Sequence, residues 1–324
     1  MIAVSVDLDA PIDYFRFYRV AEAPPSGPFL ADSLSRLGEL FARLGLRATF
    51  FAIGRDAAEP EAARALRQLV EAGHEVANHT LSHPIAFREL ARAEKAREVA
   101  EGRERLEQAV SAPVRGFRCP AYDVDRELLE VLLEQGYAYD SSLMPTPFLV
   151  PMRWLIQARS RRRAVGLGEL SHAWSRRAPH CLHRGRGGRL VVGEPPAGEP
   201  FLVELPLSVV SPLRLPFYGT ITQAYGERFF AFALRRLRRE ALPINYALHA
   251  AEVSAFDPAA RGAECARVPG YGRPLEERRA LLASTLGRLA EGAASVTLGE
   301  LAARLRGEVA ARPARAEGAE ERTA

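Results

Sequence analysis

Apolar positions follow two rhythms along this chain. Short runs at 2–6, 48–53, 75–78, 114–117, 137–139, 201–205, 244–248 and 295–298 read as strands. Between them, apolar residues recur every three or four positions, as on one face of a helix. The first such stretch is the clearest. Leu34, Leu37, Leu40, Phe41 and Leu44 mark one face, Asp32 stands where an N-cap belongs, and Gly45 stops the run. Further helices are predicted at 61–72, closed by Gly73, and at 88–110, 126–134, 227–239, 275–290 and 300–309. Seven or eight short strands alternating with helices predict the α/β class with a parallel sheet, and a distorted (β/α)7–8 barrel accommodates that number. The alternation fails at 141–200, which is expected to be an insertion or cap on a barrel spanning 1–310. Residues 311–324 lack large apolar side chains and are expected to form a disordered tail.

Composition changes this picture in three ways. With 324 residues, 48% hydrophobic and 26% charged, the chain can bury a large core, which excludes wholesale disorder. The net charge of +4 is uneven: between Arg153 and Arg189 there are ten arginines and one acid, Glu169, so that window carries +9 and the remainder −5. A uniformly basic nucleic-acid binder is thereby excluded, while one basic segment needs an account. Three cysteines, Cys119, Cys181 and Cys265, without a C-x-x-C pair argue against a disulfide scaffold or a thiolate zinc site.

No signal-peptide pattern or spanning apolar segment is seen, so a cytoplasmic location is expected. Within 144–163, Phe148, Leu149, Val150, Met152, Trp154, Leu155 and Ile156 precede Arg159, Arg161, Arg162 and Arg163. That order suits an anionic membrane surface and peripheral attachment to its inner face. The competing reading packs these apolar residues on the barrel and pairs the arginines with its acidic surface.

Histidine is scarce, seven in all, and its placement carries the chemistry. Asp7 and Asp9 flank Leu8 after the first strand. His79 and His83 follow the third strand in Asn78-His79-Thr80-Leu81-Ser82-His83-Pro84. His249 follows the strand at 244–248. In a β/α barrel the C-terminal strand ends share one rim, so two carboxylates and three imidazoles are expected at one mouth. Two histidines four apart on a helical turn can clamp one metal ion, and a carboxylate adds a third ligand. The other carboxylate can act as base and the third imidazole as acid. Each piece alone has a plain reading, as helix cap, chance spacing or core histidine. Their convergence favours the catalytic one.

These motifs resemble those of the polysaccharide deacetylase superfamily, the family 4 carbohydrate esterases of the chitooligosaccharide-deacetylase-like kind, over about 2–140 and 201–305. The first motif stands as Ser5-Val6-Asp7-Leu8-Asp9. The resemblance implies Asp7 as general base and Asp9 as metal ligand. His79-Thr80-Leu81-Ser82-His83 matches the second motif and implies two histidine ligands, with Thr80 or Ser82 supporting them. Arg118-Cys119-Pro120-Ala121-Tyr122 resembles the third, with Tyr displaced by one. Arg118 is then the arginine that orients the base, and a backbone N–H at Ala121 or Tyr122 the oxyanion donor. Asp140 keeps the acid of a degenerate fourth motif without its aromatic residue and is expected to pair with the acid histidine. Leu248-His249 matches the fifth, with Glu252 following, and implies His249 as general acid. Cys119 reads as packing filler and His74 as structural. His172, His180 and His183 lack a carboxylate or cysteine pattern that would make a second metal site.

The implied activity is that of a metal-dependent hydrolase removing an N-acyl group, acetyl first, from an amino sugar in a glycan, polysaccharide precursor or lipid-linked sugar. Zinc suits the ligand set best, with cobalt, nickel or iron compatible. A deformylase of an undecaprenyl-phosphate-linked amino sugar uses the same groups and is the alternative. From a different class, a non-catalytic barrel could bind nucleic acid or a phosphorylated partner through its arginines. The presence of every motif residue disfavours it, and no nucleic-acid partner is favoured.

Overall fold

The computed structural model describes residues 1–10, 13, 26–149, 151, 170–253, 273–311 and 322–323. Seven parallel strands form its centre: β1 (Ile2–Asp7), β2 (Ala48–Ala52), β3 (Glu75–Asn78), β4 (Gly116–Phe117), β5 (Tyr139–Asp140), β8 (Phe201–Glu204) and β11 (Ile244–His249). They are ordered β11-β1-β2-β3-β4-β5-β8, and β12 (Ser295–Val296) lies beside the start of β1. Helices α1 (Ser26–Leu44), α2 (Pro60–Glu71), α3 (Arg92–Val110), α4 (Arg126–Glu134), α5 (Gly219–Leu237), α6 (Leu275–Ala290) and α7 (Leu298–Ala311) accompany them.

β1 is buried along its whole length because both sheet faces are covered. Ile2, Val4 and Val6 join the leucines of α1, α2, α5 and α6 in the main core. Ala3 on the other face meets Phe51, Ala77, Leu298 and Leu301. Glu75 holds α7 in place: it accepts from Gly299 N and Thr49 Oγ1, while Thr49 Oγ1 in turn accepts from Leu298 N. Gly299 allows this close approach, since a Cβ would lie 2.4 Å from Glu75 Oε1 and the carboxylate would have to shift.

Among the described residues no strand pair joins β8 to β11, so the barrel is not closed by a ladder. One residue bridges the seam instead. Asn245 Nδ2 donates to Ser141 Oγ, Leu205 O and Pro206 O, and Ser208 N donates to Asn245 O.

The predicted elements recur with informative differences. α1 begins at Ser26, so Asp32 is not its N-cap; it lies inside the helix, paired with Arg36 at 2.8 Å. The apolar stripe extends one turn earlier through buried Leu30. α5 begins at Gly219 instead of 227 and bends at Gly226 (φ 78°). Its first turns bury Thr220, Thr222 and Gln223, which hid the helical period.

The stretch 141–200 contributes to the sheet itself. β6 (His180–Arg184) pairs antiparallel with β8, and β7 (Leu190–Val192) with β6. Two arginines of the basic window face barrel acids: Arg184 Nη2 lies 2.6 Å from Glu134 Oε1, and Arg177 pairs with Glu240. β9 (Val209–Val210) and β10 (Leu215–Pro216) form a separate hairpin, and β13 (Arg322–Thr323) pairs with β7. No helix among the described residues is long and apolar enough to cross a membrane.

Candidate active site

The strand alternation that buries Leu8 in the core turns Asp7 and Asp9 to the opposite side. Asp7 stands beside His249 in the β1–β11 register and beside Phe51 in β2. Asp9 Oδ1 is 3.3 Å from His79 Nε2 and 3.4 Å from His83 Nε2. The three ligand atoms lie within 4.8 Å of one another, all on buried residues.

Residues 79–83 are not a helical turn, contrary to expectation. They form a loop in which Thr80 (φ 72°) and His83 (φ 58°) are left-handed. Such a conformation costs about 1–3 kcal/mol per residue and persists because the surroundings fix it. Thr80 Oγ1 accepts from His83 N, and Glu98 accepts from both Ser82 N and Ser82 Oγ. Gly102 of α3 lets the loop approach: a Cβ there would lie 2.7 Å from Asn78 Oδ1 and 2.8 Å from Leu81 N. The two imidazole centroids end 5.1 Å apart.

This trio fits a metal ion. His79 Nδ1 lies 2.7 Å from Arg118 O, which only accepts, so Nδ1 carries the proton and Nε2 turns a lone pair toward Asp9. Among the described residues, Asp9 Oδ1 and both ring nitrogens of His83 are buried without a hydrogen-bond partner. Lone pairs converging on one point suit a cation, and a His₂Asp set leaves further positions open. Burial opposes charge on Asp9, yet the His83 charge beside it holds its carboxyl well below the usual carboxylate range. Burial likewise works against the His83 imidazolium, but Asp9 raises its pKa overall.

Arg118 is fully buried and commits each guanidinium nitrogen. Nη1 donates to Asp7 Oδ1 at 2.6 Å, Nε to Ser141 O at 2.9 Å and Nη2 to Ser141 Oγ at 3.0 Å. The guanidinium lies over Phe51, 4.1 Å from the ring centre. The other Asp7 oxygen accepts from Tyr122 Oη at 3.4 Å. Burial and the Asp7 charge push the Tyr122 phenol well up, so it stays a donor. Ala121 (φ 51°) and Tyr122 (φ 56°) are both left-handed. Tyr122 N donates to Cys119 O, leaving Ala121 as the backbone donor of the two without a bond among the described residues.

His249 Nε2 is 3.9 Å from Asp7 Oδ2 and 3.8 Å from Asp9 Oδ2. Burial lowers its pKa, but Glu252, Asp9 and Asp7 outweigh that and raise it to about 9. Asp140, expected beside this histidine, is held elsewhere. It accepts from Ser142 Oγ at 2.6 Å and faces Glu204 across the β5–β8 register. Burial and Asp140 push Glu204 well up, so the two carboxyls retain a proton between them. The carboxylate beside His249 Nδ1 is Glu252, at 3.8 Å.

Sequence reasoning left Asp13, Ser141, Thr220 and Glu252 without roles. Asp13 is buried and pairs with Arg55 at 2.7 Å. Of the segment expected at a membrane, Met144 and Leu149 turn inward, into a cluster with Tyr122, Leu207, Tyr218 and Ala247. Its residues 150 and 152–163, including Trp154 and five arginines, lie outside the described residues. Cys119 is buried in the core as filler, and His74 Nδ1 accepts from Ala48 N beneath the sheet.

Residues 26–139 match the family model of polysaccharide deacetylase. A peptidoglycan deacetylase of Helicobacter pylori is 29% identical over 155 residues, 46% of this chain and 51% of that protein. The match thus spans about half the length of that relative. A solved structure from Mycobacterium smegmatis, described as a polysaccharide deacetylase, superposes with a TM-score of 0.59 at 18% identity, covering 98% of this chain and 94% of the other. The fold is therefore that of the polysaccharide deacetylases, and the sequence matches support the resemblance to that superfamily.

Proposed function

We propose that this protein is a metal-dependent hydrolase that removes an N-acetyl group from an amino sugar of a glycan. One observation carries the reading: Asp7 Oδ2 and His249 Nε2 face each other at 3.9 Å beside the Asp9–His79–His83 trio. A base, an acid and a cation site at one strand-end mouth are what amide hydrolysis needs. The peptidoglycan deacetylase relative supports an N-acetylated sugar as substrate.

Asp9, His79 and His83 would hold one divalent ion, zinc by the donor set. Such an ion supplies Lewis acidity toward an acyl carbonyl and lowers the pKa of water. The chain's own groups do the rest. Arg118 fixes Asp7 Oδ1, leaving Oδ2 to take a proton from the attacking water. The N–H of Ala121 donates to the oxygen that gains charge as water adds to the carbonyl carbon. The C–N bond then breaks, and the amine nitrogen takes the Nε2 proton of His249. Acetate and a free amine result.

The test is acetate release by zinc-loaded protein from N-acetylglucosamine oligomers and from peptidoglycan. Asp7→Asn and His249→Ala should each lower kcat by about 10²–10⁴-fold, the range of general acid–base catalysis. Formate instead of acetate, from N-formyl substrates only, would turn the assignment to a deformylase. Undiminished activity in Asp7→Asn would refute the mechanism.

A further inference from the structure

His249 ends β11, and the chain turns at once through a short 3₁₀ segment, Ala250–Glu252. That turn folds Glu252 back toward the ring. Its Oε1 lies 3.8 Å from His249 Nδ1 and accepts from the His249 backbone N–H at 3.4 Å. Thr220 Oγ1 stands between them, 3.4 Å from His249 Nδ1 and 3.4 Å from Glu252 Oε1. Glu252 is buried, and the start of α5 is shaped around it: a Cβ on Gly219 would lie 2.4 Å from one carboxylate oxygen and 2.5 Å from the other. The positive end of the α5 dipole suits a charged carboxylate there.

We infer that Glu252, bridged by Thr220, is a positioning residue that orients His249 by holding its Nδ1 proton, so that Nε2 is the nitrogen that gives its proton to the substrate. The inference rests on the hydrolase reading above. As the C–N bond breaks, the His249 Nε2–H bond breaks and an N–H bond to the amine forms. The ring is left neutral, with its remaining proton on Nδ1. A carboxylate beside Nδ1 stabilises that tautomer and the imidazolium before it. Asp140 is unsuited to this task because Ser142 and Glu204 hold it.

A merely structural role is the competing explanation, since Glu252 also caps its own turn. Glu252→Gln separates the two: the amide oxygen can still accept the His249 N–H, while the charge is lost. In the zinc-loaded full chain, kcat for acetate release should fall at least tenfold, with KM and bound zinc unchanged. A kcat within twofold of wild type would overturn the inference. If the wild-type protein releases no acetate, the hydrolase reading fails, and ¹⁵N-resolved ring signals of His249 in the zinc-loaded protein still test the positioning. At a pH high enough to leave the ring neutral, the expected result is an Nδ1–H ring in wild type and a mixture of tautomers in Glu252→Gln. Identical spectra would overturn it.

Discussion

Arg118 shows how much one buried residue can organise. Its guanidinium reaches Asp7 and two atoms of Ser141, while its backbone carbonyl sets the His79 tautomer. A lysine could not make this fork, so Arg118→Lys would free the Asp7 carboxylate. The electrostatics of His249 make a separate prediction. Its pKa rises from the ordinary 6.5 to about 9, so the folded chain binds this proton more tightly than the unfolded one. The resulting stability is complete below the unfolded value and is lost as pH climbs toward about 9. Urea unfolding of the metal-free chain at low and high ends of that window should show a larger loss for wild type than for His249→Gln. Equal losses would contradict the charge environment. Asp7, Asp9, His79, His83 and His249 were legible in the sequence because rare or paired groups stood at predicted strand ends. Glu252, Thr220 and Ser141 were not, because common polar residues in loops carry no period. Spacing alone also cannot say which carboxylate turns toward His249; the family resemblance implied Asp140, and Glu252 stands there instead.

At the scale of elements, the loop at 79–83 and α3 form one device. Thr80 and His83 keep left-handed backbones because Glu98 ties Ser82 and Gly102 leaves space beneath Leu81. Gly102→Ala should cost about 1–3 kcal/mol of stability through overpacking, and it should weaken zinc binding by displacing His83. Urea melts with and without zinc measure both effects; a variant with wild-type stability and affinity would show that the loop does not depend on this approach. The central strands and most helices were readable because their apolar period is strong. β6, β7, β9 and β10 were not. They are two to five residues long, and β6 interleaves histidine and arginine with its apolar positions.

The whole molecule divides its charge between a mildly acidic barrel and a basic stretch, and Arg184–Glu134 and Arg177–Glu240 join the two. These pairs show where part of the +9 is used, a link that net charge could not reveal. At the seam between β8 and β11, the Asn245 side chain reaches both Ser141, the partner of Arg118, and the chain after β8. Seam and site therefore share a hydrogen-bond network. On the proposed reading, Asp9, His79 and His83 bind an ion on which the activity depends. Equilibrium dialysis of zinc against the full chain, with acetate release assayed on the same samples, tests it most directly. Wild type should bind one zinc per chain and gain activity in proportion. His79→Ala should lose both, whereas Asp7→Asn keeps the zinc and loses only turnover. Acetate release that persists in zinc-free His79→Ala would refute this dependence.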